Sequence, residues 1–185
     1  MDVNETYMAL ALPAPALADP ADVLALDIAS TILGEGRSSR LYRTLKEERR
    51  VVNTVHAGYP THRHPGIFHV GASLDRAKCG EARDGMLEIL RGLASAPPSP
   101  GELAKAKRIL RNDMRYGTET NTGQSGMIGY YHTLTGSGEF LEHYIERLDA
   151  VTTEQVAAVA RRYFASEPAT VIVEPPGAPG PESAQ

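Results

Sequence analysis

The sequence predicts an α+β domain in which a mixed, mostly antiparallel β-sheet carries helices packed on one of its faces. Short segments near both ends of the chain have the composition or the alternation of strands with one buried face. Between them, from Asp75 to Phe164, apolar residues recur at helical spacing. With 185 residues, of which 42% are hydrophobic, the chain is long enough for one domain with a substantial core.

The first strand and the first helix are predicted near the N-terminus. The segment from Thr6 to Leu12 favours a strand, which the prolines that follow are expected to end. Asp19 is in an N-cap position, with Pro20 as the first helical residue. From Val23 to Leu33 the helix is apolar almost all round, which predicts burial between other elements. We expect Gly34 to close this helix as its C′ residue.

A glycine-bounded turn then leads into a short, arginine-rich helix. Gly34 and Gly36 bracket the turn, since glycine adopts positive φ angles and lets another backbone come close. Ser38 is predicted to cap the helix, and Leu41 and Leu45 lie one turn apart on a single face. The remaining positions carry the cations Arg37, Arg40, Arg43 and Lys46. The pattern predicts a helix that is buried on one side and positively charged on the other.

After Arg50 the pattern changes to the alternation of a β-strand, from Val51 to Tyr59. A second alternating segment runs from Ile67 to Leu74, and the short loop with proline and glycine between them predicts an antiparallel pair. Because no loop separates the helix from the first of these strands, we expect the turn, the helix end and the strand start to converge on Arg49 and Asn53.

The later part of the chain is predicted to be helical. Ser99 with Glu102, and Thr152 with Gln155, have the spacing of capping boxes. Residues 117–131 are polar and rich in glycine, so we expect the helical structure there to be broken or mobile.

A last strand and a tail complete the predicted domain organisation. Residues 169–173 favour a strand. Residues 176–185 are rich in proline and glycine and cannot form a core. We therefore predict one domain over residues 1–175 followed by a flexible tail.

Composition excludes several classes of protein. The formal charge is −4 and the pI about 5.9, so the chain lacks the basic field of a nucleic-acid-binding protein. No apolar segment approaches the roughly 20 residues that span a bilayer. Cys79 is the only cysteine, which excludes an internal disulfide and leaves a periplasmic or a cytoplasmic location in a bacterium open.

The six histidines lack the spacing of a helical zinc motif, in which two histidines lie four residues apart beside a glutamate. His143 comes closest, with Glu146 three residues later, but Arg147 occupies the place of the second histidine. We interpret His143 and Glu146 as a surface contact. His56 and His69 are expected to be partly exposed histidines on the strand pair. The sequence therefore predicts no metal site in this chain.

The segment from Leu33 to Val55 resembles part of the M16 peptidases, the family of insulinase, pitrilysin and mitochondrial processing peptidase. It aligns without a gap with the family pattern LGGGxSSRLFxxLREKRGLAYSV. This pattern belongs to the second domain of the family, which does not bind zinc. Weaker similarity covers the opening strand and helix, GELAKAKRIL and LDAVTTEQVAAVARRYF, in the order of the family. The resemblance implies a fold like that of the LuxS and M16 peptidase domains.

The resemblance implies that this chain is the non-catalytic second domain of a zinc metallopeptidase. In M16 peptidases a zinc-binding half with the motif HxxEH and this second half close on a peptide substrate like a clamshell. The resemblance therefore implies that the zinc ion belongs to a partner half, on the same polypeptide or a separate subunit. No catalytic residue and no cofactor is expected in this chain.

The resemblance also implies which residues contact the substrate. Arg49 matches the arginine that contacts the peptide near the scissile bond, and a guanidinium suits this task because it stays charged and offers several donors. The tyrosine of the family is replaced by Asn53, whose amide is shorter and lacks the phenol. The implied substrate-binding residues are Arg49, Asn53, Gly34, Gly36 and Ser38.

Two alternatives remain open. Asn53 at the tyrosine position, and Arg50 and Val51 in place of the usual Gly-Leu, also suit a structural or peptide-binding M16-like subunit without proteolytic activity. Arg49, in turn, also suits the role of a helix-end cation, favoured by the negative end of the helix dipole.

Overall fold

The computed structural model describes residues 5–137 and 139–175, except the side chains of residues 139 and 140. The predicted tail, residues 176–185, lies outside the described residues. The elements are, in order, β1 (Thr6–Ala14), α1 (Pro20–Gly34), a π-helix (Tyr42–Glu48), β2 (Thr54–Gly58), β3 (Gly66–Leu74), a 3₁₀ turn (Arg76–Lys78), α2 (Cys79–Ser95), α3 (Pro100–Gly117), α4 (Asn121–Thr135), α5 (Glu139–Glu142), α6 (Tyr144–Ala150), α7 (Thr153–Tyr163) and β4 (Ala169–Val173). Within the described residues no helix has the length and apolar character to cross a membrane.

The strands form one sheet in the order β2-β3-β1-β4, and each of these pairings is antiparallel. The predicted α+β fold is confirmed. β1 lies at the centre because it pairs with β3 on one side and with β4 on the other. Both ends of the chain therefore contribute strands to the same sheet.

Alternation along β1 separates a core face from an open face. Met8, Leu10 and Leu12 are buried on the core face, on which α7 packs against β1 and α1 packs against β2. On the same side Phe68 of β3 packs against Phe164, which follows α7, with ring centroids 4.7 Å apart. Burial of such side chains is the main term that stabilises the fold.

The opposite face of the sheet is largely open to solvent in the described part of the chain. Tyr7 of β1 and Val171 and Val173 of β4 share this face and are about half exposed. Small residues lie between them, such as Ala9 and Gly71, which pair directly across β1 and β3. The result is an open, shallow, mostly apolar surface.

β1 extends beyond its predicted end and includes Pro13. Proline has no amide hydrogen and is normally excluded from the middle of a sheet. Here β4 pairs with β1 only as far as Ala11, so Pro13 is paired with β3 alone. The prediction that the strand stops before Pro13 was wrong. Beyond Ala11, β1 has no partner on the β4 side among the described residues, so Pro13 lies at an edge of the sheet, where proline is tolerated.

The end of α1 is held by a close contact with the sheet. A Cβ atom on Gly34 would lie 2.4 Å from the amide nitrogen of Ala57 in β2, which is too close for any side chain. Gly34 is still helical, Glu35 caps the helix, and Gly36 has the left-handed φ of 73°. The prediction of Gly34 as the C′ residue was therefore wrong. Glycine is required at position 34 because of close packing, whereas the left-handed C′ residue is Gly36.

The arginine-rich helix begins one residue later than predicted and has π geometry. The carbonyl of Ser39 accepts the first helical hydrogen bond, from the amide of Arg43 at 3.0 Å, so Ser38 is not the cap. The amide of Arg49 bonds to the carbonyl of Thr44, five residues back, as in a π-helix. Leu41 and Leu45 are fully buried, which confirms the prediction that one side of this helix is buried.

The strand that follows starts at Thr54 and not directly after Arg50. Val51 and Val52 are both buried, so these adjacent residues cannot belong to a strand with one buried face. Arg50 has a φ of 54°, in the left-handed region that favours glycine, and this is the position where the M16 pattern has glycine. A left-handed turn thus separates helix and strand.

The later helices follow the sequence closely. Both predicted capping boxes are present, at Ser99 with Glu102 and at Thr152 with Gln155. The polar segment 117–131 contains a break after α3, as predicted, but most of it forms α4. The prediction gave too much weight to the glycines of this segment, since each glycine weakens a helix by only about 1 kcal/mol.

Asp27 is a carboxyl group among the buried apolar residues of helix α1, and it is only partly accessible to solvent. Burial raises its pKa to about 7, although a hydrogen bond from Tyr144 of α6 opposes the rise. Burial and then the charge of Asp27 raise the pKa of Tyr59 and Tyr131. Asp27 and the tyrosines around it therefore form a polar contact between α1 and neighbouring elements.

Asp27→Asn should change the pH dependence of stability. Folding raises the pKa of Asp27 above its value of about 3.9 in an unfolded chain, so the free energy of unfolding should fall as pH rises from about 4 to about 7. The variant should be more stable than the wild type by about 1–3 kcal/mol at pH 8, with the difference shrinking toward pH 4. Urea unfolding at several pH values measures this, and a difference independent of pH would contradict it.

Gly34→Ala should destabilise the fold by more than about 2 kcal/mol, because the new Cβ would collide with the backbone of β2. Gly92→Ala on α2 is the matched control: a Cβ there meets no atom within 4 Å, and alanine favours a helix by about 1 kcal/mol. Thermal unfolding should therefore move in opposite directions for the two variants. Equal effects would show that the contact at Gly34 is not tight.

Candidate functional site

Arg49 lies at the C-terminal end of the π-helix and reaches to α2. Its Nη2 donates to Oε2 of Glu88 at 2.8 Å, and a Cβ atom on Gly85 would lie 3.2 Å from its Nη1. The side chain is 35% exposed, so solvent still reaches it. The guanidinium is thus held in one orientation beside α2 while part of it remains accessible.

The ion pair of Arg49 and Glu88 orients the arginine side chain but contributes little to the stability of the fold. Glu88 is 65% exposed, and ion pairs at such exposure contribute about 0–1 kcal/mol. A guanidinium has five N–H donors, of which this contact uses one. Arg49 therefore keeps N–H donors from which a ligand carbonyl or oxyanion could accept a hydrogen bond.

Asn53 lies at the end of the sheet where β1 and β2 begin and β3 ends. Its backbone amide donates to the carbonyl of Ser73 at 2.7 Å, while its side-chain amide lies 3.5 Å from Oε1 of Glu5. The side chain is exposed and lines an open cleft together with Glu5, Thr6, Leu74, Asp75, Arg76 and Pro175. Arg49 and Asn53 are four residues apart but contact different elements.

Arg76 is a residue of this cleft that the sequence did not single out. Its Nε pairs with Oε1 of Glu174 at 3.1 Å, which ties the end of β3 to the end of β4. Among the described residues, Nη1 of Arg76 is buried and has no hydrogen-bond partner. Its position two residues after the alternating segment that ends at Leu74 could have indicated that it lies at a sheet end.

The predicted residues of the glycine turn lie next to α3. Ser38 accepts a hydrogen bond from Nζ of Lys105. Arg40 forms two hydrogen bonds with Glu102, at 2.8 and 3.0 Å, and this contact with Arg40 is the main reason that the pKa of Glu102 falls to about 2. The turn is therefore fixed to α3 by charged contacts.

The predicted site residues thus occupy three places in the fold. Gly34, Gly36 and Ser38 surround the turn between α1 and the π-helix, Arg49 lies against α2, and Asn53 lies in the cleft at the sheet end. The short connection between helix and strand predicted that these residues converge on a single point. They do not, and the left-handed turn at Arg50 lies between Arg49 and Asn53.

Potential metal ligands are dispersed. Within residues 5–137 and 139–175 no three His, Cys, Asp or Glu residues lie close enough together to hold a metal ion. His143 and Glu146 form the predicted surface contact, with Nδ1 and Oε2 3.4 Å apart. Nothing in the described chain therefore assembles the donor set of a zinc site.

His56 and His69 lie on the open face of the sheet, as expected for partly exposed histidines. Their ring centroids are 5.9 Å apart with an edge-to-face orientation. Each ring lies over a glycine of the neighbouring strand, His56 over Gly71 and His69 over Gly58. Burial, and then the nearby His56, lower the pKa of His69.

Comparison with known proteins identifies relatives. The family described as "Peptidase M16 inactive domain" matches residues 1–110. An uncharacterized zinc protease of Mycobacterium tuberculosis is 26% identical over 153 residues, which are 83% of this chain and 35% of that protein. The chain therefore spans about a third of the length of this relative.

Solved structures agree with this assignment at the level of the fold. A protease from Helicobacter pylori has a TM-score of 0.84 at 23% identity, covering 94% of this chain and 42% of the other. A peptidase M16 inactive domain from Pseudomonas fluorescens has a TM-score of 0.79 at 22% identity, covering 93% and 41%. The chain belongs to the M16 peptidase family and is an inactive domain of that family.

Proposed function

We propose that this domain helps to bind and orient a peptide substrate for a zinc-bearing half with the motif HxxEH that lies outside this chain. The observation that carries the proposal is Arg49, whose guanidinium is oriented by Glu88 and keeps donors free for a ligand. A zinc-bearing half on the same polypeptide or on a separate subunit would face Arg49 across the peptide. The relatives that are named zinc proteases support the pairing with such a half.

The open face has the character of an interaction surface. Tyr7 and Val171 are 49% and 58% exposed, and Val173 of the same edge strand is 47% exposed. Proteins rarely leave contiguous apolar surface of this kind without a function. β4 also lacks the charges and prolines that protect edge strands. Both features suit a surface that is covered when two halves enclose a peptide.

Arg49 is the residue that we propose contacts the peptide near the scissile bond. A charged donor held in place before the reaction stabilises negative charge that develops on a carbonyl oxygen. Glu88 supplies that orientation and uses only one donor. Asn53 adds a neutral amide at the sheet end, which contributes less than a charged group. The turn residues Gly34, Gly36 and Ser38 contribute by fixing the start of the helix that carries Arg49.

Arg49→Ala should lower kcat/KM of the enzyme assembled with its zinc-bearing half by more than about tenfold, because a lost charged hydrogen bond in the transition state costs about 2 kcal/mol. Arg43→Ala is the matched control, since Arg43 is an exposed cation on the same helix and pairs with Glu48. An unchanged kcat/KM for Arg49→Ala at unchanged stability would leave Arg49 as a helix-end cation.

Asn53→Ala should reduce kcat/KM less than Arg49→Ala does, because a neutral amide is the weaker donor. Asn53→Tyr should raise it, because the variant restores the phenol of the M16 pattern. Both variants are measured with the same peptide, and their folding is checked by thermal unfolding. A larger loss for Asn53→Ala than for Arg49→Ala would reverse the assignment of the main contact.

The second candidate function is a structural or peptide-binding subunit without proteolytic activity. Asn53 at the position of the tyrosine favours it. The two candidates differ in turnover: a non-proteolytic assembly would bind a fluorescent peptide with measurable affinity but would not cleave it, and Asn53→Tyr would not restore cleavage. Zinc analysis of the assembled protein after dialysis adds a readout that does not depend on the choice of peptide.

A further inference from the structure

We propose that the turn of residues 35–39 and the facing side of α3 form a binding site for a small oxyanion such as phosphate or sulfate. This site shares Gly36 and Ser38 with the turn that fixes the start of the Arg49 helix, but it uses neither Arg49 nor Asn53 and does not depend on their proposed contact with a peptide. A cavity of about 30 Å³ lies between the end of α1, the turn and α3 and opens to solvent. Its polar lining consists of Thr31, Glu35, Ser38, Ser39, Glu102 and Lys105.

Ser39 gives the strongest indication that this cavity binds a ligand. Only 3% of this residue is exposed, and its Oγ is buried without a hydrogen-bond partner among the described residues. A buried hydroxyl without a partner costs about 1–3 kcal/mol. An acceptor in the cavity that Ser39 lines would remove that cost. Ser39 belongs to the SSRL sequence of the M16 family pattern, but the proposed peptide contacts do not involve Ser39.

Ser38 and Lys105 add donors at the same cavity. Nζ of Lys105 donates to Oγ of Ser38, which leaves the hydroxyl hydrogen of Ser38 available to a ligand. An ammonium has three hydrogens, so Lys105 keeps two for another acceptor. Two hydroxyls and one cation directed to one small cavity match the acceptor oxygens of an oxyanion.

The remaining charges do not cancel this arrangement. Glu102 is bound by Arg40 and also accepts from the backbone amide and hydroxyl of Ser99, so its charge is compensated. Glu35 is exposed, and water screens it, whereas Lys105 is partly buried. Thr31 donates to the carbonyl of Asp27 and is satisfied within its own helix. The uncompensated groups at the cavity are therefore mainly donors.

Titration with phosphate tests the site directly. Thermal unfolding and calorimetry are recorded with inorganic phosphate, sulfate, O-phosphoserine and acetate, with sodium chloride keeping the ionic strength constant. Saturable binding and a higher Tm are expected with phosphate and sulfate. Binding of O-phosphoserine as well would point to a phosphorylated side chain as a source, and its failure to bind would point to the free ion. A response to acetate equal to that of phosphate would contradict an oxyanion site.

Two variants separate the site from general effects of charge. Ser39→Ala and Lys105→Met should each weaken phosphate binding at least tenfold, and without phosphate Ser39→Ala should be as stable as the wild type or more stable. Lys46→Met is the control, since Lys46 is a cation of the π-helix that lies over the ring of Tyr42. Phosphate affinity equal in all four proteins, or no binding beyond that of chloride, would overturn the proposal and leave a hydrated cavity.

Discussion

The contact between the end of α1 and β2 determines where the segment from Gly34 to Arg49 lies. At Gly34 the backbone of a buried helix meets the backbone of the sheet at Ala57, without a side chain between them. From this point the chain turns through the left-handed Gly36, and Ser38 and Arg40 then contact α3. The next helix then buries Leu41 and Leu45 and ends at Arg49 beside α2. A bulkier residue at position 34 would displace all of these elements together.

The arginines of this segment have different tasks, although the sequence shows them as one cationic group. Arg40 forms a two-point contact with Glu102 that attaches the segment to α3. Arg37 and Arg43 pair with glutamates of their own helix, which have little energetic value at the surface. Arg49 differs because Glu88 of another element orients it while most of its donors stay free. Arg49 is therefore the arginine of this segment that we propose as the substrate contact.

Local rules made much of the fold predictable from the sequence. The capping boxes at Ser99 and Thr152 depend on side chains three residues apart, and the burial of Leu41 and Leu45 depends on helical spacing. The role of Gly34 depends on Ala57, and Arg76 faces Glu174, which is almost a hundred residues away. Such contacts leave no local pattern. The positions that Arg49, Asn53 and the turn residues take relative to one another therefore did not follow from the sequence.

The most direct test of the proposed role measures hydrolysis of one peptide by the zinc-bearing half alone and with this domain added. If the domain binds and orients the substrate, its addition should raise kcat/KM by more than about tenfold, because orientation and oxyanion contacts both act on the transition state. A kcat/KM that is the same with and without the domain, in a complex shown to have formed, would contradict the role and favour a structural subunit.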